Sequence, residues 1–413
     1  MADKLLFEAD AAPAFDARAD GESLTGVAVS VHRDLPEVSD VWRAFQQGAD
    51  CTAFQTFEWH EAWHRHIGAP AGVTPAIVVG RVRGRVAFIL PFALEATRFA
   101  RRLVWHASDL CDYNAPLLAP DFAEMVGDFP SVFSSILRQI GEETPFDAVL
   151  LSKMPDTVGR QKNPFLAMPT SLNPSGAYRA TLGTDWDKYY AEKRPSLKRK
   201  RDRNKRKRLA DFGPVSFTTP VDDRDRAANL DVLLEQKGKA FASMGVNNFL
   251  ARPEVRAFFA DLTLSPATRD MIHLSHLDVG SQMMATNLGL VFGGRYYHVL
   301  ASYDAGPASK FGPGAVHLLE LIAYAIRNRL EVFDFTIGDE RYKREWSDIE
   351  VALHDYRAAV TLRGYLLGLP GLAVSEAKRL IKQNRVLWPI ALKVRAALAG
   401  RKQPAEQAPV DED

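Results

Sequence analysis

The chain is poor in cysteine: Cys51 and Cys111 are the only two in 413 residues. That is too few for the disulfide framework of a small secreted scaffold. No run reaches the roughly 18 apolar residues of a membrane-spanning helix. Neither sign of charge dominates, since 52 Lys and Arg stand against 51 Asp and Glu for a formal net charge of +1. Nothing in that global balance argues for DNA as a partner. The first residues, MADKLLFEADAAPAFDARADGES, lack the apolar stretch of a signal peptide. These absences set the expectation of a cytoplasmic protein. What is present, 46% hydrophobic and 25% charged residues, describes a globular chain long enough for two domains plus tails. Disordered ends are expected over 1–25 and 401–413, which offer nothing to bury.

Between these ends the chain repeats one order of elements. The first half reads as helices over 37–47 and 58–67, then strands over 75–83, 85–94 and 102–106. A loop, a helix over 122–140 and a strand over 147–152 follow. The second half gives helices over 224–243 and 253–264, then strands over 271–279, 282–292 and 295–302. It closes with a loop, a helix over 315–328 and a strand over 331–336. Even Asp112-Tyr113 and Tyr303-Asp304 fall at matching places. The pattern predicts an internal duplication. The expected fold is α/β (α+β): two tandem domains, 26–165 and 176–360, each a mixed, largely antiparallel sheet flanked by helices. A hinge is expected over 154–175, which holds Pro155, Pro164, Pro169 and Pro174. A basic amphipathic segment is expected over 361–400, with Lys378, Arg379, Lys382 and Arg385 set against Leu380, Ile381, Val386 and Leu387.

The chemistry gathers in the strand–loop–helix–strand unit over 296–336. Its loop holds Gly306, Gly312, Pro313 and Gly314. A glycine turn opening a helix presents free N–H groups and the positive end of the helix dipole, which suits a pyrophosphate. A P-loop is excluded because Pro313 stands where its lysine belongs, and a dinucleotide fingerprint lacks its third glycine. The antiparallel strands before the loop also oppose a parallel dinucleotide fold. The loop Ser309–Gly314 resembles instead a candidate arrangement known from the GNAT acetyltransferases, in which [Q/R]-x-x-G-x-[G/A] holds the pyrophosphate of acyl-CoA. Here Ser309-Lys310-Phe311-Gly312-Pro313-Gly314 has both glycines, with Ser309 for the usual Gln or Arg and Lys310 as the available cation. Pro313 at a helix start is favourable, since its missing N–H is unneeded there.

FQTFEWHEAWHRHIG (54–68), DYNAPLLAP (112–120), the arginine-rich 193–209, ASYD (301–304), FGPG (311–314) and FDFTIGDERYKREW (333–346) add a resemblance. Over about 30–360 the chain resembles the CelD/BcsL-type (BioF2-like) acetyltransferases of bacterial polysaccharide gene clusters, GNAT-superfamily proteins related to the Fem-type peptidyltransferases. The resemblance implies two GNAT-like domains, the first degenerate, with acetyl-CoA (acyl-CoA) as co-substrate in the second and no metal. It also implies an N-acyltransferase whose acceptor is an amino-sugar-containing polysaccharide precursor or glycan of exopolysaccharide (cellulose- or holdfast-like) biosynthesis.

Such a site needs a proton acceptor, a donor to the oxyanion and an acid for the thiolate. Backbone N–H groups at Val299, Leu300 and Ala301 are candidates for the thioester carbonyl, and Ser309, Lys310, Phe311, Gly312, Gly314 and Ala315 for the pyrophosphate. Candidate bases are Asp304, Asp334, Asp339 and Glu340; candidate acids are Tyr303 and Tyr342. Lys343 is a candidate for catalysis or for an anionic acceptor. Asn287, a polar residue inside an apolar strand, His317 and Asp339 are candidates for acceptor contact. Eleven Lys and Arg fall within 193–208, a charged-all-round helix expected, with the basic segment over 361–400, to meet a polyanion or an anionic membrane surface, and that C-terminal segment extends the expected address to the inner-membrane surface. His60-Glu61-Ala62-Trp63-His64 fits H-E-x-x-H, but no further ligand completes a zinc site. Two alternatives stand beside the N-acyltransferase reading: a Fem-like transferase using aminoacyl-tRNA, and a non-catalytic module of a polysaccharide-secretion complex. Oligomeric state is left open.

Overall fold

The computed structural model describes residues 26–245 and 247–366. The expected lead over 1–25, the basic segment beyond 366 and the tail over 401–413 lie outside the described residues. The strands are β1 (Val27–His32), β2 (Thr74–Val82), β3 (Arg85–Ala96), β4 (Arg101–Trp105), β5 (Leu117–Leu118), β6 (Ala148–Pro155), β7 (Thr157–Val158), β8 (Gln161–Lys162) and β9 (Thr170–Leu172). They continue with β10 (Ala177–Thr181), β11 (Val215–Thr218), β12 (Ile272–Val279), β13 (Gln282–Phe292), β14 (Arg295–Tyr303), β15 (Val332–Ile337), β16 (Ile349–Val351) and β17 (Leu353–Ala359). The helices are α1 (Ser39–Gln46), α2 (Phe57–Trp63), α3 (Phe122–Met125), α4 (Phe129–Glu143), α5 (Trp186–Lys193), α6 (Ser196–Ala210), α7 (Asp223–Ser243), α8 (Pro253–Leu264), α9 (Pro313–Arg327) and α10 (Arg341–Trp346). Among the described residues no helix is long and apolar enough to cross a membrane.

The expected duplication is present strand for strand. One sheet runs β1-β2-β3-β4-β6-β17-β9 with β5 beside β3, and the other runs β11-β12-β13-β14-β15-β10-β16. In each, the first four strands are antiparallel, and one parallel pair follows: β4 with β6, and β14 with β15. Hairpin turns fix these registers. At Gly293 and Gly294 both φ angles are positive, 55° and 71°, the geometry that joins twisted antiparallel strands through two residues.

The halves are laced together. Beyond each parallel pair lies one more strand, and in the first sheet sequence order assigns that strand elsewhere. β17, expected in the second domain, pairs with β6 of the first sheet from Leu353↔Pro155 to Ala359↔Ala148. β10, at the edge of the expected hinge, pairs with β15 of the second sheet from Ala177↔Ile337 to Thr181↔Val332. A boundary drawn by sequence near 165–176 therefore places 353–359 in the wrong sheet. The helix expected over 122–140 is two helices, because Asp128 caps a fresh start by accepting from the Ser131 N–H at 3.3 Å, with Pro130 in the first turn.

Phe88, Phe92, Trp105, Phe133 and Phe165 fill the core of the first half. A second cluster crosses between the halves and joins Phe54, Trp59 and Tyr113 to Leu233, Phe258, Leu288 and Tyr297. A third packs Leu321, Ile322, Phe333 and Phe335 on the opposite side of the second sheet. That sheet thus has α7, α8 and the first half on one face and α5, α6 and α9 on the other.

Candidate functional site

β14 and β15 run side by side for only three rungs, Arg295↔Val332, Tyr296↔Phe333 and Tyr297↔Asp334. Past them the strands part. On its other edge β14 changes register against β13, since Gly289 faces His298 while Leu288 faces Leu300. Val299 is the extra residue of a β-bulge, placed just beyond the last parallel rung. Bulges bend a strand and re-aim its backbone groups, and they gather beside active sites. In the first half β4 meets β3 without such a shift. Only the second half pairs a bulge with the opening.

Opposite the bulge stands Thr336, buried and with φ 58°. A β-branched residue in left-handed backbone is strained, and such strain concentrates at functional sites. Two bonds hold it: its hydroxyl donates to the His298 carbonyl at 3.3 Å and its N–H to Asp334 Oδ1 at 2.9 Å.

On the α9 face, a tight turn over Pro307–Phe311 leads to Gly312 at φ 67°, and α9 starts at Pro313. Only glycine takes this backbone without cost. The Gly312 N–H donates to the Ser309 carbonyl at 2.9 Å, and the Ala315 and Val316 N–H groups donate to the Gly312 carbonyl at 3.1 and 3.2 Å. Gly314 lets the Tyr303 ring lie on the turn, since a Cβ there would come within 3.3 Å of it. Lys310 is exposed above the Phe311 ring. A second cation arrives from α6: a Cβ at Gly312 would lie 3.6 Å from Lys205 Nζ. The helix dipole, the turn and two lysines thus share one end of α9. Asp304 stands next to this turn but caps it, with Oδ1 accepting from the Gly306 N–H at 2.7 Å.

On the α7 face the first half closes in. Asp334 was expected at the mouth as a base. It is fully buried: Oδ2 accepts from Arg179 Nε at 2.8 Å and Oδ1 from the Tyr113 hydroxyl at 2.6 Å. Its role is to tie β10 and the first half to β15. Asp112, beside Tyr113, is half-buried in the cleft wall. Burial pushes its carboxyl up, Lys153, Thr336 and Lys343 pull it back, and Asp334 adds to the rise. From α7, Lys237 Nζ donates to the Ala301 carbonyl at 3.0 Å. Its amine is held below the usual range by burial and by Lys343, against Glu340. Lys343 is buried, donates to the Ile337 carbonyl at 2.7 Å and pairs with Glu340 at 3.1 Å. Tyr342 is partly exposed, and burial, with Glu340, pushes its phenol up. Asp339 lies at the surface, 3.9 Å from Arg344. Lys237 and Asp112 were not foreseen: each comes from an element distant in sequence, and only the pairing of Asp112-Tyr113 with Tyr303-Asp304 hinted at the latter.

Two expected acceptor contacts are already engaged in the fold. Asn287 is fully buried, and its amide oxygen accepts from the Tyr296 hydroxyl at 2.7 Å and the Gly289 N–H at 3.2 Å in the orientation that satisfies both ends. His317 is buried with Nε2 3.0 Å from Ser275 Oγ, and burial holds its ring well below the usual histidine range. In the H-E-x-x-H segment the ring of His106 sits between the two histidines, 2.9 Å from His60 and 3.4 Å from His64. Glu61 turns to Arg43 and Arg65. Among the described residues no group of three His, Cys, Asp or Glu could hold a metal ion.

Residues 196–344, from α6 into α10, match the sequence model of an acetyltransferase (GNAT) domain. Among solved structures the chain is similar to FemX, with a TM-score of 0.54 and 10% identity over 83% of this chain and 99% of that one. It is also similar to a conserved protein of unknown function from Bacteroides thetaiotaomicron VPI-5482, with a TM-score of 0.52 and 12% identity over 81% of this chain and 100% of that one. At these identities the likeness is one of fold. No match is found among curated proteins. The second half of the chain carries a GNAT-type acetyltransferase domain within a tandem α/β architecture.

Proposed function

We propose that the protein is an N-acyltransferase that moves an acyl group, acetyl first among them, from acyl-CoA to the amine of an amino-sugar acceptor. One observation carries this reading: the second half alone combines the Val299 bulge, the parting of β14 from β15 and the Gly312 turn, all inside the GNAT match. Acyl-CoA would supply the activated acyl group, with its pyrophosphate at Gly312–Ala315 between Lys205 and Lys310. Backbone N–H groups freed at the bulge suit the carbonyl oxygen. The acceptor would enter from the face lined by the first half. There Asp112, whose carboxyl is raised by burial and lowered in turn by Lys153, Thr336 and Lys343, would take the proton of the amine. Tyr303 and Tyr342 border the cleft as acids for the thiolate.

The place in exopolysaccharide assembly rests on the sequence resemblance, and the exposed Lys200, Arg203 and Lys207 of α6 support docking on an anionic surface. Calorimetry with acetyl-CoA tests the donor. Binding with hydrogen-exchange protection of 311–315, lost in Gly312→Val, is expected, and the absence of binding sinks the reading. Mass spectrometry of glucosamine-containing glycans after incubation with acetyl-CoA tests the acceptor. Sedimentation with phosphatidylglycerol vesicles at low and high salt tests the surface, and salt-independent or absent binding rejects it.

A further inference from the structure

Each of the two parting strands has a lysine on its carbonyl edge. Lys237, reaching from α7, donates to Ala301 of β14 at 3.0 Å, and Lys343, reaching back from α10, donates to Ile337 of β15 at 2.7 Å. An ammonium has three donors, and for Lys237 one bond is assigned. Arg179 is matched by Asp334, Lys343 by Glu340, and Asp112 has Lys153 as its foremost opposite charge. Lys237 makes no ion pair among the described residues, and Glu340 reaches it only through space. Glu340 is therefore shared between Lys343 and Lys237, and Lys237 has no acid of its own. Enclosing like charges without a counter-ion is costly, and a bound anion removes that cost.

The donor's own pyrophosphate does not account for this. Leu230, Leu233 and Leu234 of α7 pack with Leu288, Leu290 and Tyr297, whereas Leu321 and Ile322 of α9 pack with Tyr296 and Phe333. The sheet therefore separates Lys237 from the Gly312 turn, and Lys237 lies on the face turned to the first half. Resting on the acyltransferase reading of the cleft, we propose that Lys237 and Lys343 bind a phosphate group of the acceptor, which makes the acceptor a phosphorylated amino sugar. Two ammonium groups held on the carbonyls of the two parting strands offer charged donors to the oxygens of a phosphate, and charge-assisted bonds of this kind are the stronger ones.

Lysine footprinting by acylation and mass spectrometry tests this on the wild-type chain, with glucosamine 1-phosphate, glucosamine and coenzyme A as separate probes at matched ionic strength. Glucosamine 1-phosphate is expected to slow labelling of Lys237 and Lys343 several-fold, glucosamine to leave it unchanged, and exposed Lys239 to serve as the control. Equal effects of the two sugars, or no protection of Lys237, overturn the proposal. So does protection of Lys237 by coenzyme A alone. Failure of coenzyme A to protect Lys205 and Lys310 counts against the acyltransferase reading and is scored separately. Calorimetry on Lys237→Met is the second measurement. Affinity for glucosamine 1-phosphate should fall at least about tenfold with acetyl-CoA affinity unchanged, and an unaltered sugar-phosphate affinity rejects the clamp.

Discussion

Asp334 shows how a single side chain can be read for direction but not for partners. Its alternation with Phe333 and Phe335 turns it to the opposite face of β15, and the two phenylalanines do pack together on the α9 side. What waits on the other face, Arg179 and Tyr113, comes from 155 and 221 residues away in sequence. Removing one partner of a buried pair leaves the other charge stranded. Asp334→Ala is therefore expected to cost about 3–5 kcal/mol in urea denaturation; a loss under about 1 kcal/mol would show that Arg179 finds another anion. Buried histidines give a second residue-level prediction. Burial lowers His60, His273 and His298 to about 3. They stay neutral in the fold while the unfolded chain takes up protons below about pH 6.5. Their contribution is whole above that pH and is lost as pH falls toward 3, at about 1.4 kcal/mol per pH unit for each. Thermal melts between pH 7 and 4 should show this decline, and a flat profile would contradict it.

At the scale of elements, long periodic segments were legible and short polar ones were not. β13 and α8 lie where their patterns predict, over 282–292 and 253–264. β9, β10 and β16 are three to five residues long, with polar or charged members, and carry no periodic signal of their own. The basic run reads correctly as a helix charged all round, yet one face of α6 is anchored. Asp202 is buried, accepting from Arg194 Nη2 at 3.2 Å and from the Tyr190 hydroxyl at 2.9 Å, while Leu209 is fully buried. The anchoring brings Lys205 to the glycine turn. Asp202→Ala should loosen α6 by about 3 kcal/mol, seen as faster hydrogen exchange over 196–210 and weaker acetyl-CoA binding. Unchanged exchange would mean that Leu209 and the Glu345 pairs of Arg194 and Lys198 hold the helix by themselves.

At the scale of the whole molecule, the return of β17 to the first sheet makes the two halves one folding unit. Without β17, β6 becomes an exposed edge, and the cluster shared by Phe54, Trp59, Leu233 and Phe258 opens to water. Fragments 26–165 and 176–360 expressed separately should lack cooperative melting, while the joined chain melts as one. Two independently cooperative fragments would refute the lacing. The sequence by itself determined the duplicated order of elements, the α/β class and the half that keeps the glycines, because periodicity and turn chemistry are local. Only the tertiary structure decided that a strand after residue 350 completes the first sheet. The same holds for the burial of Asp334 as a tie and for the meeting of Lys237, Asp112 and Lys343 at one cleft. Those outcomes depend on which distant edges pair and which charges are enclosed together, and neither is written in any local pattern.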